Sequence, residues 1–252
     1  MSLERLREVL SKRALYFCRC DLFDDSFEGA LSKPAAHHQD RFLSVLRQRG
    51  QEESFAQSAF AHRRMYRKFF FANCWHISDV ESLSMWGLYV PGLGVAIETT
   101  FANLRASLDA PETGRLVLGK VRYVNFDLQM QDILGPIDVL FTKRAEFRHE
   151  SELRVLYHYF PEGFYSDRAL NVLKVTADMP GYSAQIAPEE CNFDVDMPRG
   201  AVLSADTQRL VQRVVVSPKA PPAFKKEADA VVQQYLSGVL AEASRLDEPP
   251  IF

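Results

Sequence analysis

No stretch of this sequence comes near the run of about 18 apolar residues that a membrane-spanning helix requires, so a helical membrane protein is not expected. Cysteine is sparse. The four thiols, Cys18, Cys20, Cys74 and Cys191, lack the paired spacings of a zinc ribbon, and a 252-residue chain builds a core without disulfides. Neither sign of charge dominates. With 30 Lys and Arg against 33 Asp and Glu, the net charge of -3 exerts no global pull toward nucleic acid or anionic lipid, although a local basic patch remains open. The opening MSLERLREVLSKRALYF scatters its charges and has no continuous apolar core, so it does not read as a signal peptide, and a reduced cytoplasmic protein is expected. Two signatures are also missing. There is no GxSxG elbow, and the GLG at 92–94 is too short and badly placed for a dinucleotide fingerprint.

What is present is an ordinary globular composition, 47% apolar and 25% charged, with no internal repeat or clear linker. The pattern predicts a single α+β domain over 1–252, with a central mixed or antiparallel sheet flanked by helices. Leu3, Leu6 and Leu10 predict a helix over 2–13. A strand over Ala14–Cys20 would place Leu15, Phe17 and Arg19 on one face and Tyr16, Cys18 and Cys20 on the other. Asp25 to Glu28 fits a capping box, with Glu28 reaching back to Asp25; a metal reading of Asp21, Asp24, Asp25 and Glu28 lacks the spacing of a calcium loop. Two helices are expected between Gln39 and Lys68, broken near Gly50. The basic end HRRMYRK complements a helix dipole, or alternatively faces phosphate.

Phe69–Thr100 holds both tryptophans and most of the polar side chains useful to a site. It reads as a strand over Phe69–Ile77, a helical turn over Asp79–Tyr89 ended by Pro91, and a second strand over Val95–Thr99, with a helix running on to Leu108. Later come a strand or hairpin arm over Leu116–Phe126, a helix over Ile133–Glu146 and a strand over Glu150–Tyr159. Further strands are expected at Leu170–Thr176 and Val211–Val216, and a closing helix over Pro222–Leu246.

Three constellations could carry chemistry. Glu150 and Glu152, two apart on a strand, would point the same way and could bind a ribose hydroxyl and stabilise an oxocarbenium-like centre; the ordinary reading is a solvated face with Arg154 offsetting the two acids. His76 and Ser78 stand side by side but lack an orienting third group and an oxyanion hole. Cys18 and Cys20 with His37 and His38 lack tetrahedral ligand spacing, so no metal is expected.

Four segments in order carry a resemblance: LYFCRCDLFDDSFEG, FFANCWHISDVESLSMWGLYVPGLGVAIETT, FTKRAEFRHESELRVLY and QRVVVSPKA. Together they resemble a family of bacterial and phage proteins catalogued as a domain of unknown function, close to the abortive-infection AbiGi group. The family's pattern falls here on Asp25–Glu28, Cys74–Ser78, Met85–Tyr89, Gly94–Thr99, and Lys143 with Glu150, Glu152 and Arg154. Ser26 replaces the usual proline, His76 stands where a small or hydroxyl residue is common, and Phe147 where a tryptophan is usual. More distantly, the order of Arg, then a polar strand end, then E-x-E resembles ADP-ribosyltransferases. That resemblance implies NAD as substrate, with Arg19 on its phosphate or ribose and Trp75, His76 and Ser78 on the nicotinamide side. Glu152 would stabilise the ribosyl cation and Glu150 assist a protein or nucleic-acid acceptor. The competing expectation is a non-catalytic regulatory or nucleic-acid-binding module of a phage-defence system. Geometry separates the two: Glu152 should open on a cleft shared with Arg19, or be sealed against Arg154.

Overall fold

A computed structural model describes residues 1–49, 66–109, 114–132, 137–159, 161–169, 171, 190–192 and 194–249. The chain is α+β. In order it forms α1 (Leu3–Lys12), β1 (Ala14–Arg19), α2 (Lys33–Gln48) and β2 (Phe70–His76). Next come α3 (Leu83–Tyr89), β3 (Val95–Glu98), α4 (Phe101–Ser107), β4 (Gly114–Lys120) and β5 (Arg122–Val124). β6 (Thr142–Arg144), β7 (Glu152–Tyr159), β8 (Gly200–Ser204) and α5 (Thr207–Leu210) follow. The last elements are β9 (Arg213–Val216), α6 (Pro222–Tyr235) and β10 (Ala241–Glu242). The largest sheet runs β4-β7-β2-β1-β8, and a smaller one runs β10-β9-β3. Among the described residues no helix is long and apolar enough to cross a membrane.

The chain divides into two compact units. The first comprises Met1–Phe17, His76–Pro111 and Val202–Phe252. Ser2 caps α1 by accepting from the Arg5 N–H, and the helix buries Leu6, Val9 and Leu10. α6 contributes Ala228, Val231 and Val232 to the same interior, and β9 contributes Val214, Val215 and Val216. β3 pairs antiparallel with β9, from Val95↔Val216 to Glu98↔Arg213. Arg213 ties the sheet's outer face together by reaching Glu98 at 2.9 Å and Glu242 at 2.5 Å.

Gly94 enters β3 under a steric limit. A Cβ there would lie 2.3 Å from a Val90 methyl and 2.6 Å from the Met1 carbonyl oxygen, whose hydrogen bond to the Val95 N–H fixes its place. Gly94→Ala should therefore cost about 1–3 kcal/mol, the range for forced overpacking. It would lower the thermal midpoint by several degrees in a scanning calorimeter; an unchanged midpoint would show that the Met1 contact yields freely.

The second unit comprises Cys18–Trp75 and Glu112–Ala201. β1 pairs antiparallel with β2, Cys18↔Ala72 and Arg19↔Phe71, and β4 pairs with β7 from Gly114↔Tyr159 to Lys120↔Leu153. One sheet face packs Cys20, Phe70, Ala72 and Leu156 against Val139 and Leu140.

Several expectations need correction. Ile133–Glu146 is not a helix over its described part. Asp138–Phe141 is a single 3-10 turn, Thr142–Arg144 a strand beside β5, and Ala145–Glu150 a second 3-10 turn. Pro136 and the β-branched Val139 and Thr142 disfavour a long helix there. β7 begins at Glu152, because Ser151 takes a left-handed conformation (φ 44°) that breaks the strand before Glu150. The closing helix stops at Tyr235 rather than Leu246; Gly238 (φ 74°) turns the chain into β10. α2 starts earlier than expected, at Lys33, capped by Ser32 with Pro34 in its first turn. The second helix expected after Gly50, the basic residues 62–65, and the strand at Leu170–Thr176 apart from the helical Asn171 lie outside the described residues.

Candidate functional site: a buried charged cluster

Glu28, Lys143, Glu150, Glu152 and Arg154 of the second unit meet in one cluster against the five-stranded sheet. Arg154, near the start of β7, is 1% exposed, and its guanidinium is fully committed. Nε donates to Glu152 Oε1 at 2.7 Å and Nη2 to Glu152 Oε2 at 3.0 Å. Nη1 donates to Glu28 Oε2 at 3.1 Å and to the Leu140 carbonyl at 2.6 Å, and Nη2 also reaches Glu28 Oε1 at 3.4 Å. Lys143 closes the cluster, with Nζ 2.5 Å from Glu150, 3.3 Å from Glu28 and 3.6 Å from Glu152. Its ammonium lies 4.7 Å from the Phe147 ring, a cation–π contact. Arg154 likewise lies over Phe23 at 5.3 Å.

Local structure explains how short segments deliver these groups. Asp25 does cap its turn, accepting from the Phe27 N–H at 3.1 Å, but no helix follows. Asp25 pairs instead with Arg144 at 3.0 Å. Glu28 is 3% exposed and turns inward to the two cations rather than back to Asp25, which corrects the capping-box expectation. A buried guanidinium offers five donors, and a carboxylate that can take two of them outbids a backbone N–H. Glu150 arrives from the 3-10 turn rather than from the strand, so its neighbourhood with Glu152 is made by Lys143, not by strand alternation.

Charge sets the protonation of Glu152 and Lys143. Burial raises the Glu152 pKa, but hydrogen bonds and charge from Arg154, the Cys74 thiol and Lys143 outweigh it, holding the carboxyl below its ordinary value. For Lys143, burial favours the neutral amine, and the hydrogen bond to Glu150 with the charges of Glu28, Glu152 and Glu150 reverses this and raises the pKa. Cys74 keeps exposed surface, yet its thiol sits among crowded protein atoms. Desolvation there, together with the Glu152 carboxylate it donates to, raises its pKa well above the thiol range against the pull of Arg154. The neutral thiol is favoured there over the thiolate. Near the other end of the face, burial and then Arg115 depress His158 to about 3, leaving a neutral imidazole stacked on Phe70 at 4.0 Å.

The other candidate residues are distributed differently. Arg19 is paired in register with Phe71, whose ring packs 6.2 Å from Tyr157. The cluster shares the opposite face, with Phe70 against His158. The sheet therefore separates Arg19 from Glu152. Arg19 has partners of its own, donating to Asp21 at 2.6 Å and to the Met197 and Pro198 carbonyls at 2.6 and 3.2 Å. Trp75 donates its indole N–H to Asn73 at 2.5 Å. His76 and Ser78 belong to the first unit and are exposed, and the Ser78 hydroxyl closes a turn onto the Val80 carbonyl at 2.7 Å. Among the described residues no group of His, Cys, Asp and Glu forms a metal site.

Sequence reasoning passed over Glu28, Lys143 and Cys74 as site residues, although all three sit in the motif segments. The signal was the co-occurrence of those segments, which local patterns explain separately as cap, helix and strand. No family model, curated protein or solved structure matches this chain.

Proposed function

We propose that this chain is a non-catalytic regulatory module, of the kind its abortive-infection resemblance implies, and that Glu152 and Glu150 hold its second unit together rather than act on NAD. The observation that carries this reading is the state of Glu152. Both of its oxygens accept from Arg154, it is 5% exposed, and the sheet stands between it and Arg19. A transferase acid must turn an oxygen toward the ribose and share a cleft with the residue that grips the phosphates. Freeing Glu152 for that task would leave the Nε of a buried guanidinium without its acceptor, an unfavourable loss that Glu28 and the Leu140 carbonyl do not make good.

The test is NAD turnover. Wild type and Glu152→Gln are incubated with NAD and with protein and nucleic-acid acceptors, at a temperature where circular dichroism shows both folded. Free nicotinamide and acceptor mass are then measured. Both proteins should stay at the protein-free background. Nicotinamide release by wild type that disappears in Glu152→Gln would overturn the reading and restore the transferase assignment.

A further inference from the structure

β4 is an end strand of the five-stranded sheet, and among the described residues no strand pairs with its outer edge. We propose that this edge is where two copies of the chain join, β4 against β4, antiparallel and centred on Val117. The inference stands apart from the state of the charged cluster.

The ladder decides which backbone groups face outward. The Val121 N–H donates to the Glu152 carbonyl at 2.9 Å, and the register with β7 runs unbroken from Gly114↔Tyr159 to Lys120↔Leu153. Peptide groups alternate in direction along an antiparallel strand. Arg115, Val117 and Gly119 therefore bond β7, while Leu116, Leu118 and Lys120 turn their N–H and C=O groups away from it. Among the described residues no hydrogen bond reaches those outward groups. Such a row of donors and acceptors is a template for another strand, and the usual devices that blunt it are missing from its centre. β4 has no proline and no bulge, and 116–118 is Leu-Val-Leu, with charge only at Arg115 and Lys120. The other end strand, β8, is shorter, and Ala205 just past it is bridged to Leu108.

The residues of β4 point to a second copy as the occupant. Gly-Arg-Leu-Val-Leu-Gly-Lys over 114–120 is close to a palindrome in polarity. With a twofold axis at Val117, Leu116 lies opposite Leu118, Arg115 opposite Gly119 and Lys120 opposite Gly114. Each cation meets a glycine, so no like charges oppose one another. Moving the register by one pair either way sets a cation against Leu116 or Val117 and shortens the ladder. In the centred register the outward groups supply up to about eight hydrogen bonds. Val117, 38% exposed, is then covered by its own copy, with the half-buried Leu116 and Leu118 beside it. The twofold closes the assembly at two chains, because each copy's edge is used up.

Sedimentation velocity of the full chain over a concentration series reads the association, and residue-resolved amide exchange reads its place. Wild type should reach twice the mass of one chain. The Leu116, Leu118 and Lys120 amides should exchange more slowly in the dimer than at dilution. Val117→Lys and Val117→Glu each set like charges across the axis and should weaken pairing about 10-fold or more. Mixing the two variants should restore the dimer, since opposite charges then face each other; misfolded chains would show no such recovery. A wild type that stays monomeric up to about 100 μM, leaving the edge to a strand of another protein, would overturn the proposal. So would pairing undiminished in Val117→Lys, no recovery on mixing, or a dimer whose outward β4 amides gain no protection.

Discussion

Arg154→Met is expected to lower the stability of the chain by about 3–5 kcal/mol, the cost of leaving buried carboxylates without their cation. Glu28 and Glu152 would then remain at 3% and 5% exposure with Lys143 as their nearest cation, and the Leu140 carbonyl would lose its donor. At about 2–4 °C per kcal/mol for chains of this size, the thermal midpoint should fall by roughly 6–20 °C. The measurement is urea unfolding followed by circular dichroism. Adding Glu28→Gln and Glu152→Gln to the Arg154→Met background should recover much of the loss, because neutral groups of similar shape no longer carry stranded charge. A triple variant no more stable than Arg154→Met would mean that the damage is a packing defect, not an electrostatic one.

Acid should unfold the protein through the same cluster. Glu152 has a folded pKa below its ordinary carboxylate value of about 4.3, so its stabilisation is present above that value. It is lost as pH falls through the folded pKa. Lys143 has the opposite sign. Its raised folded pKa gives stabilisation that is complete below the ordinary lysine value of about 10.4 and is lost only as pH rises past it. The two windows overlap from about pH 5 to 10, where both ionised forms persist. The urea midpoint of wild type should therefore fall below about pH 4, once protonation of Glu152 removes the carboxylate that pairs with Arg154 and faces Lys143. Glu152→Gln should start from a lower midpoint at neutral pH and decline less steeply on the acid side. Parallel acid limbs in the two proteins would show that Glu152 does not contribute to the transition.

These two experiments address a role for Glu152 that the sequence suggested only in part. E-x-E-x-R read as two acids and a cation on one strand face, and the pairing of Glu152 with Arg154 followed from alternation alone. The inclusion of Glu150 in that face did not survive, because a left-handed Ser151 precedes β7, and a non-glycine residue gives little local warning of positive φ. Glu28 was legible only as a turn residue, since carboxylates near helix starts are far more often caps than partners of a cation 126 positions away.

What the sequence by itself determined is the local architecture. The apolar periods placed α1, β1, β2, α3, β3, β9 and the start of α6 close to where they form, because burying one face of each element is a demand its own residues express. Tertiary structure alone decided which side chains meet. The register Arg19↔Phe71 puts Arg19 on the opposite face of the sheet from Glu152, and no single strand encodes its neighbour's register. It likewise gathered Glu28, Cys74, Lys143, Glu150, Glu152 and Arg154 from three separate segments. Taking so many charges out of water is favourable only when all the partners arrive together, a condition that no local window of residues can display.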